Sequence, residues 1–199
     1  MSLRLSSGML LIGLLVLIAL LVAFGPPERV LGVHVRVVYL HGAWVWTALA
    51  GFAAAATTGA AGLVLRRTSL QSWSVSLGRA ATFFWVTYLP ISLIAMQSNW
   101  NGLFLAEPRW RIGLDFAVAG VLLQVGLAVV ARSAWASGMN VAYLLALAWS
   151  LASAQQVMHP SSPVFSSPSS MIQAYFVVLL VLCLLAGWQA TRWLHPSSS

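Results

Sequence analysis

This 199-residue chain contains no lysine, and only three acidic residues: Glu28, Glu107 and Asp115. Charged residues make up 7% of it, whereas soluble domains carry about 25%. That scarcity excludes an ordinary water-soluble domain. There is one cysteine, Cys183, inside an apolar run. An intrachain disulfide and a CxxC redox or metal motif are therefore both excluded. No carboxylate pair, Ser/His/Asp set, phosphate loop or zinc spacing is present, so the sequence reads as a non-enzyme. The net charge of +7 rests entirely on arginine. The arginines are dispersed between apolar runs and form no basic stripe, which argues against nucleic acid as a partner.

What remains is 60% hydrophobic. A spanning helix needs about 20 mainly apolar residues. The runs predict helices at roughly 9–24, 39–65, 80–96, 112–131, 139–158 and 171–190. The first reads as an uncleaved helix after Arg4 rather than a removed signal segment, stopped by Gly25-Pro26-Pro27. In the second, Gly51, Ala55 and Gly59 recur every four positions on one face, where another backbone can come close. That predicts a central place for this helix. Pro90 predicts a kink in the third. The fifth ends at His159-Pro160, and a Ser/Pro-rich loop leads into the sixth. The tail after the sixth, which includes His195, is expected to be frayed. The expected fold class is all-α: a six-transmembrane-helix bundle forming one integral membrane domain over residues 1–199.

Orientation follows from charge. One side of this layout collects Arg4, Arg66, Arg67, Arg79, Arg132 and Arg192 without an acid. The other collects Arg29, Arg36, Arg109 and Arg111 with all three acids. The positive-inside rule then puts both termini in the cytoplasm; the expected location is the inner cell membrane. No charge is expected within the inner halves of the helices, which argues against ion-coupled pumping.

This topology gathers polar residues at the outer face. His41 starts the second helix and His159 ends the fifth. Gln155, four residues earlier, would share the His159 helical face and orient its imidazole. Trp44 and Trp46 follow His41; Trp100 and Trp110 lie between the third and fourth helices. His34, Arg29, Arg36, Arg109 and Arg111 are outside as well. Two histidines at one depth, aromatic shelves and arginines for acid groups suit haem, whose iron takes imidazole as an axial ligand and whose propionates favour arginine. Each residue also has a plainer reading. Histidine and tryptophan are common at membrane interfaces, and the arginines can snorkel to phosphates.

The stretch Arg36-Val-Val-Tyr39-Leu-His41-Gly-Ala-Trp44 resembles the second-helix signature of the haem-handling proteins of cytochrome c assembly, the CcmC/CcsA-like family. There the pattern is Arg-Ile-Met-Tyr-Ile-His followed by Trp. The family's tryptophan-rich segment is reduced here to Trp100 and Trp110. The resemblance implies haem b at the outer membrane face with His41 and His159 as the metal ligands. It implies that Trp44, Trp100, Trp110, Arg36 and Arg109 line the cofactor site. It further implies transfer to a haem chaperone or apocytochrome, with membrane lipid and other membrane subunits as surroundings. The alternative is a cofactor-free structural subunit of a larger membrane complex that keeps the same fold.

Overall fold

The computed structural model describes residues 6–155, 164–165 and 167–195. Within them the chain forms α1 (Ser7–Ala23), α2 (Val35–Val64), α3 (Thr68–Trp100), α4 (Pro108–Val130), α5 (Ser133–Ser153) and α6 (Ser170–Leu194), and no strand. α2 to α6 are each long and apolar enough to cross a membrane, whereas α1 has 17 residues. The chain is an all-helical, multi-pass membrane protein, with α1 packed along α6 and α2.

Local chemistry sets the helix ends. Ser6, Glu107 and Ser169 each accept a hydrogen bond from a backbone N–H three residues on, starting α1, α4 and α6. Pro108 follows Glu107 at the first helical position, where its missing N–H costs nothing. Left-handed Asn101 and Ala131 close α3 and α4, and left-handed Arg66 follows the end of α2. Between α1 and α2 the backbone of Glu28 exchanges hydrogen bonds with Gly32, at 3.1 and 2.8 Å. Gly32 has φ +57°, which glycine adopts without strain. The Glu28 carboxylate accepts from the N–H groups of Leu31 and Val30, and these hold its pKa below the ordinary value.

Several helix boundaries differ from the sequence reading, for physical reasons. α3 begins at Thr68, twelve residues before the apolar run, because its polar residues there have buried partners. Gln71 donates to the Gly62 carbonyl, and Ser74 donates to that of Ala55. Arg79 consequently lies inside a helix and not at the start of one. Pro90 lies within α3, where the sequence reading put it. α5 covers Ser133–Ser153, so Gln155 lies beyond its end, and His159, whose helical face it was expected to share, lies outside the described residues. α6 continues to Leu194, and His195 is held rather than frayed. Its ring stacks on Trp73 at 3.9 Å, and its Nδ1 is 3.1 Å from the Ser76 hydroxyl.

α2 contacts α1, α3, α5 and α6, while α4 lies to one side against α3 and α5. The small residues of α2 make that central place possible. A Cβ on Gly51 would meet Ala81 Cβ at 2.9 Å. One on Gly59 would meet Ser74 Oγ at 2.7 Å and the Ser137 backbone at 3.1 Å. Asn140 of α5 ties into the same point, donating to the carbonyl and hydroxyl oxygens of Ser74 at 3.0 Å. In lipid, where apolar burial does not drive helices together, close packing and such hydrogen bonds supply the association.

Gly59→Ala should therefore overpack the α2–α3–α5 junction and destabilise the protein by about 1–3 kcal/mol. Gly126→Ala, where the new Cβ would meet nothing within 4 Å, should be neutral or slightly stabilising. Thermal unfolding in detergent distinguishes the two; equal melting temperatures would contradict this packing.

Candidate functional site

At the bundle end that carries the 24–34 and 101–107 connections, α2 and α3 stop meeting through small residues. Here α2 presents Val38, His41, Gly42, Val45, Trp46 and Leu49 to a shared space. Their spacing of three, one, three, one and three residues marks one face of a helix. α3 faces them with Trp85, Tyr88, Ser92, Ala95, Met96, Asn99 and Trp100. The start of α4 adds Glu107, Arg109 and Trp110; Leu31, Leu151, Phe165 and Phe176 complete the wall. The cavity they line is partly open and measures about 580 Å³, within the range of sites for cofactor-sized ligands. Its lining is mainly apolar and rich in tryptophan.

The second helix positions His41 by simple register. Its ring lies 5.8 Å from that of Tyr88, tilted by 58°. Tyr88 is fixed from behind, because its hydroxyl end approaches Gly113 of α4 more closely than any larger residue there would permit. Trp85 Nε1 donates to the Gly113 carbonyl at 3.1 Å. Gly113 thus lets α4 seat both rings of the α3 wall. Gly42 performs the same service for α6: a Cβ there would stand 3.3 Å from Phe176.

The charged groups come from the α4 N-terminus. Glu107 is 3% exposed although it sits in a connection. One of its oxygens, Oε2, caps α4 by accepting from the Trp110 N–H at 2.6 Å. The other, Oε1, is buried and has no hydrogen-bond partner among the described residues. The same holds for Trp110 Nε1 and Asn99 Oδ1. Arg109, two residues along, lines the same cavity. Asn99 also ties α3 to the start of α2, donating to the His34 carbonyl at 3.3 Å.

Of the residues selected from sequence, the cavity brings together His41, Trp100, Trp110 and Arg109. Trp44 and Arg36 lie elsewhere. His41 stands at one edge of the cavity-lining face of α2, and three further residues of helix carry Trp44 about 60° beyond that edge. It is 8% exposed, packs on Phe84 at 4.6 Å and donates to Thr87 Oγ1 at 2.8 Å. Arg36 reaches back to α1, donating to the carbonyls of Gly25 and Ala23, each at 2.8 Å. It satisfies the orphan acceptors that a helix end leaves. His34 is exposed at the start of α2, and Arg111 is exposed on α4. His159 lies outside the described residues.

Sequence reasoning passed over Trp85, Tyr88, Met96 and Glu107 as site residues. Their signal was spacing: Trp85, Tyr88, Ser92 and Met96 share one face of a helix whose register Trp100 continues. Among the described residues no three His, Cys, Asp or Glu side chains gather as a metal site. A haem iron needs only an axial ligand or two, and His41 places one imidazole in the cavity lining that could serve as such. Comparison with protein-family models, with curated proteins and with solved structures gives no match.

Because the Trp44 indole is used in packing, Trp44→Phe should cost roughly 0.5–1.5 kcal/mol through the lost Thr87 bond. Arg36→Gln should cost about 1.5–3 kcal/mol through its charged bonds to α1. Both should lower the melting temperature. A destabilised Trp110→Phe variant with an unaffected Trp44→Phe variant would contradict this assignment.

Proposed function

We propose that this chain binds haem b in the α2–α3 cavity, with His41 as an axial ligand, and holds it for transfer at the outer membrane face. The observation that carries this reading is one shared space: His41 lines a cavity of about 580 Å³ with Trp46, Trp85, Trp100, Trp110 and Arg109. A macrocycle needs a flat aromatic slot, an imidazole and a cation for its acid groups. The residues present fit those needs. When bound, the haem iron would supply ligand exchange and electron-transfer chemistry. The protein's part is to orient the ring between tryptophans, keep water from it and hold its acid edge at Arg109. His159 is proposed as the second axial ligand on the strength of the resemblance to the cytochrome c assembly family. Cytoplasmic termini belong to the same proposal, supported by the arginine distribution, as do the inner cell membrane and a haem chaperone or apocytochrome as recipient, on the strength of the family resemblance.

A second reading has its own support. Trp44 and Arg36, two conspicuous residues of the family-like stretch, serve packing and helix capping here. That favours a cofactor-free subunit of a larger membrane complex built on the same scaffold.

Absorption spectra separate the two. Protein purified in detergent with haem available should show a Soret band and a pyridine haemochrome of b type. His41→Ala should lose most of that absorbance, whereas Trp44→Phe should retain it. His159→Ala should weaken it or shift its spin state. If wild-type protein neither carries nor takes up haem, yet co-purifies with other membrane proteins, the subunit reading stands instead.

A further inference from the structure

The cavity wall carries charges of both signs, and haem binding accounts for only one. Arg109 attracts an acid-bearing ligand. Glu107, two residues earlier on the same wall, is 3% exposed and leaves Oε1 without a hydrogen bond from the described residues. Its cap to the Trp110 N–H uses only Oε2. An unsatisfied carboxylate this deep acts on nearby charge through low-dielectric protein, where Coulomb forces are strong. Asn99, which also lines the cavity, has its Oδ1 buried and without a hydrogen-bond partner among the described residues. Neither oxygen welcomes a carboxylate.

Building on the haem reading, we propose that Glu107 limits the residence time of the ligand by repelling its propionates, so that the cavity releases haem and does not store it. Glu107 is a positioning and release residue here, opposed to Arg109. The two set the hold on the acid edge between them: Arg109 draws the ligand in, and Glu107 keeps that hold shallow. The arrangement suits a carrier. Like-charge repulsion through the protein lowers affinity and speeds dissociation while leaving the apolar slot and the imidazole intact.

The charge can be removed with the fold kept. Glu107→Gln retains a carbonyl oxygen to cap α4. The experiment measures haem release from the full-length protein in detergent into excess apomyoglobin, followed at the Soret band. A parallel series uses haem dimethyl ester, which has the same ring and no acid charge. Glu107→Gln should slow release of haem roughly tenfold, Arg109→Gln should speed it, and neither should move the ester appreciably. Equal slowing of haem and ester by Glu107→Gln would mean a change of shape, and would overturn the proposal. So would an unchanged or faster haem release in that variant. Should Glu107→Gln fail to fold, Glu107→Ser, a neutral residue that also caps a helix, takes its place with the same expected and overturning results. Uptake of neither form by wild-type protein would overturn the haem reading itself, and this one with it.

Discussion

The structure depends on how closely α2 and α3 approach. At one end of the bundle, Gly51, Ala55, Gly59 and Gly62 bring α2 against α3 and α5 until Cβ atoms would collide. Ser74 and Gln71 then hydrogen-bond to α2 carbonyls. At the other end, α2 carries Val38, His41, Val45 and Leu49, and α3 answers with Trp85, Tyr88 and Met96. The same two helices are zipped by small residues along one half and held apart by large ones along the other. The cavity is the consequence, and His41 enters it because it falls on the face of α2 that the large residues share.

Hydrogen-bond economy explains the rest of the wall. Inside a membrane, a polar group without a partner costs several kcal/mol, so indoles and hydroxyls need acceptors from the backbone or from one another. Trp85 takes the carbonyl of Gly113 and Tyr143 takes that of Phe116, both on α4. These bonds fix α4 although most of its surface faces outward. Once α4 is fixed, its N-terminus delivers Glu107, Arg109 and Trp110 to the cavity. The charged edge of the site is therefore a product of packing deeper in the bundle.

Much of this was legible in the sequence, and the remainder fails for identifiable reasons. Apolar run length fixes the number of helices, because the bilayer imposes it. The four-residue spacing of Gly51, Ala55 and Gly59 foretold a close approach, since it follows from helix geometry alone. The first three turns of α3 were missed because Gln71, Ser74 and Ser76 look like loop residues until Gly62, Ala55 and His195 are seen beside them. The site was half legible. His41, Trp100, Trp110 and Arg109 stood out by type and position. Trp44 looked equally suitable, and only helical register turns it away from His41. Glu107 read as a loop acid because burial is a tertiary property that no local pattern announces.

The lengths of the helices bear on where the site sits in the bilayer. α3 has 33 residues, about 50 Å of helix, well beyond a hydrocarbon core of about 30 Å. Arg79 divides it. From Arg79 to Trp100 is about 32 Å, close to one hydrocarbon thickness, bounded by a cation at one end and an aromatic residue at the other. Near Arg79 the stack of Trp188, Trp73 and His195 and the nearby Arg192 form a second interfacial belt. Taken together, these anchors favour projection of residues 68–78 past the membrane over a steep tilt. They set Trp100, and with it Glu107, Arg109 and Trp110, at the opposite interface, while His41 lies deeper beside Tyr88. A ligand in this cavity would have its ring at hydrocarbon depth and its polar edge at the headgroups. That is the depth at which Arg109 and Glu107 can act on an acid group without drawing it through lipid.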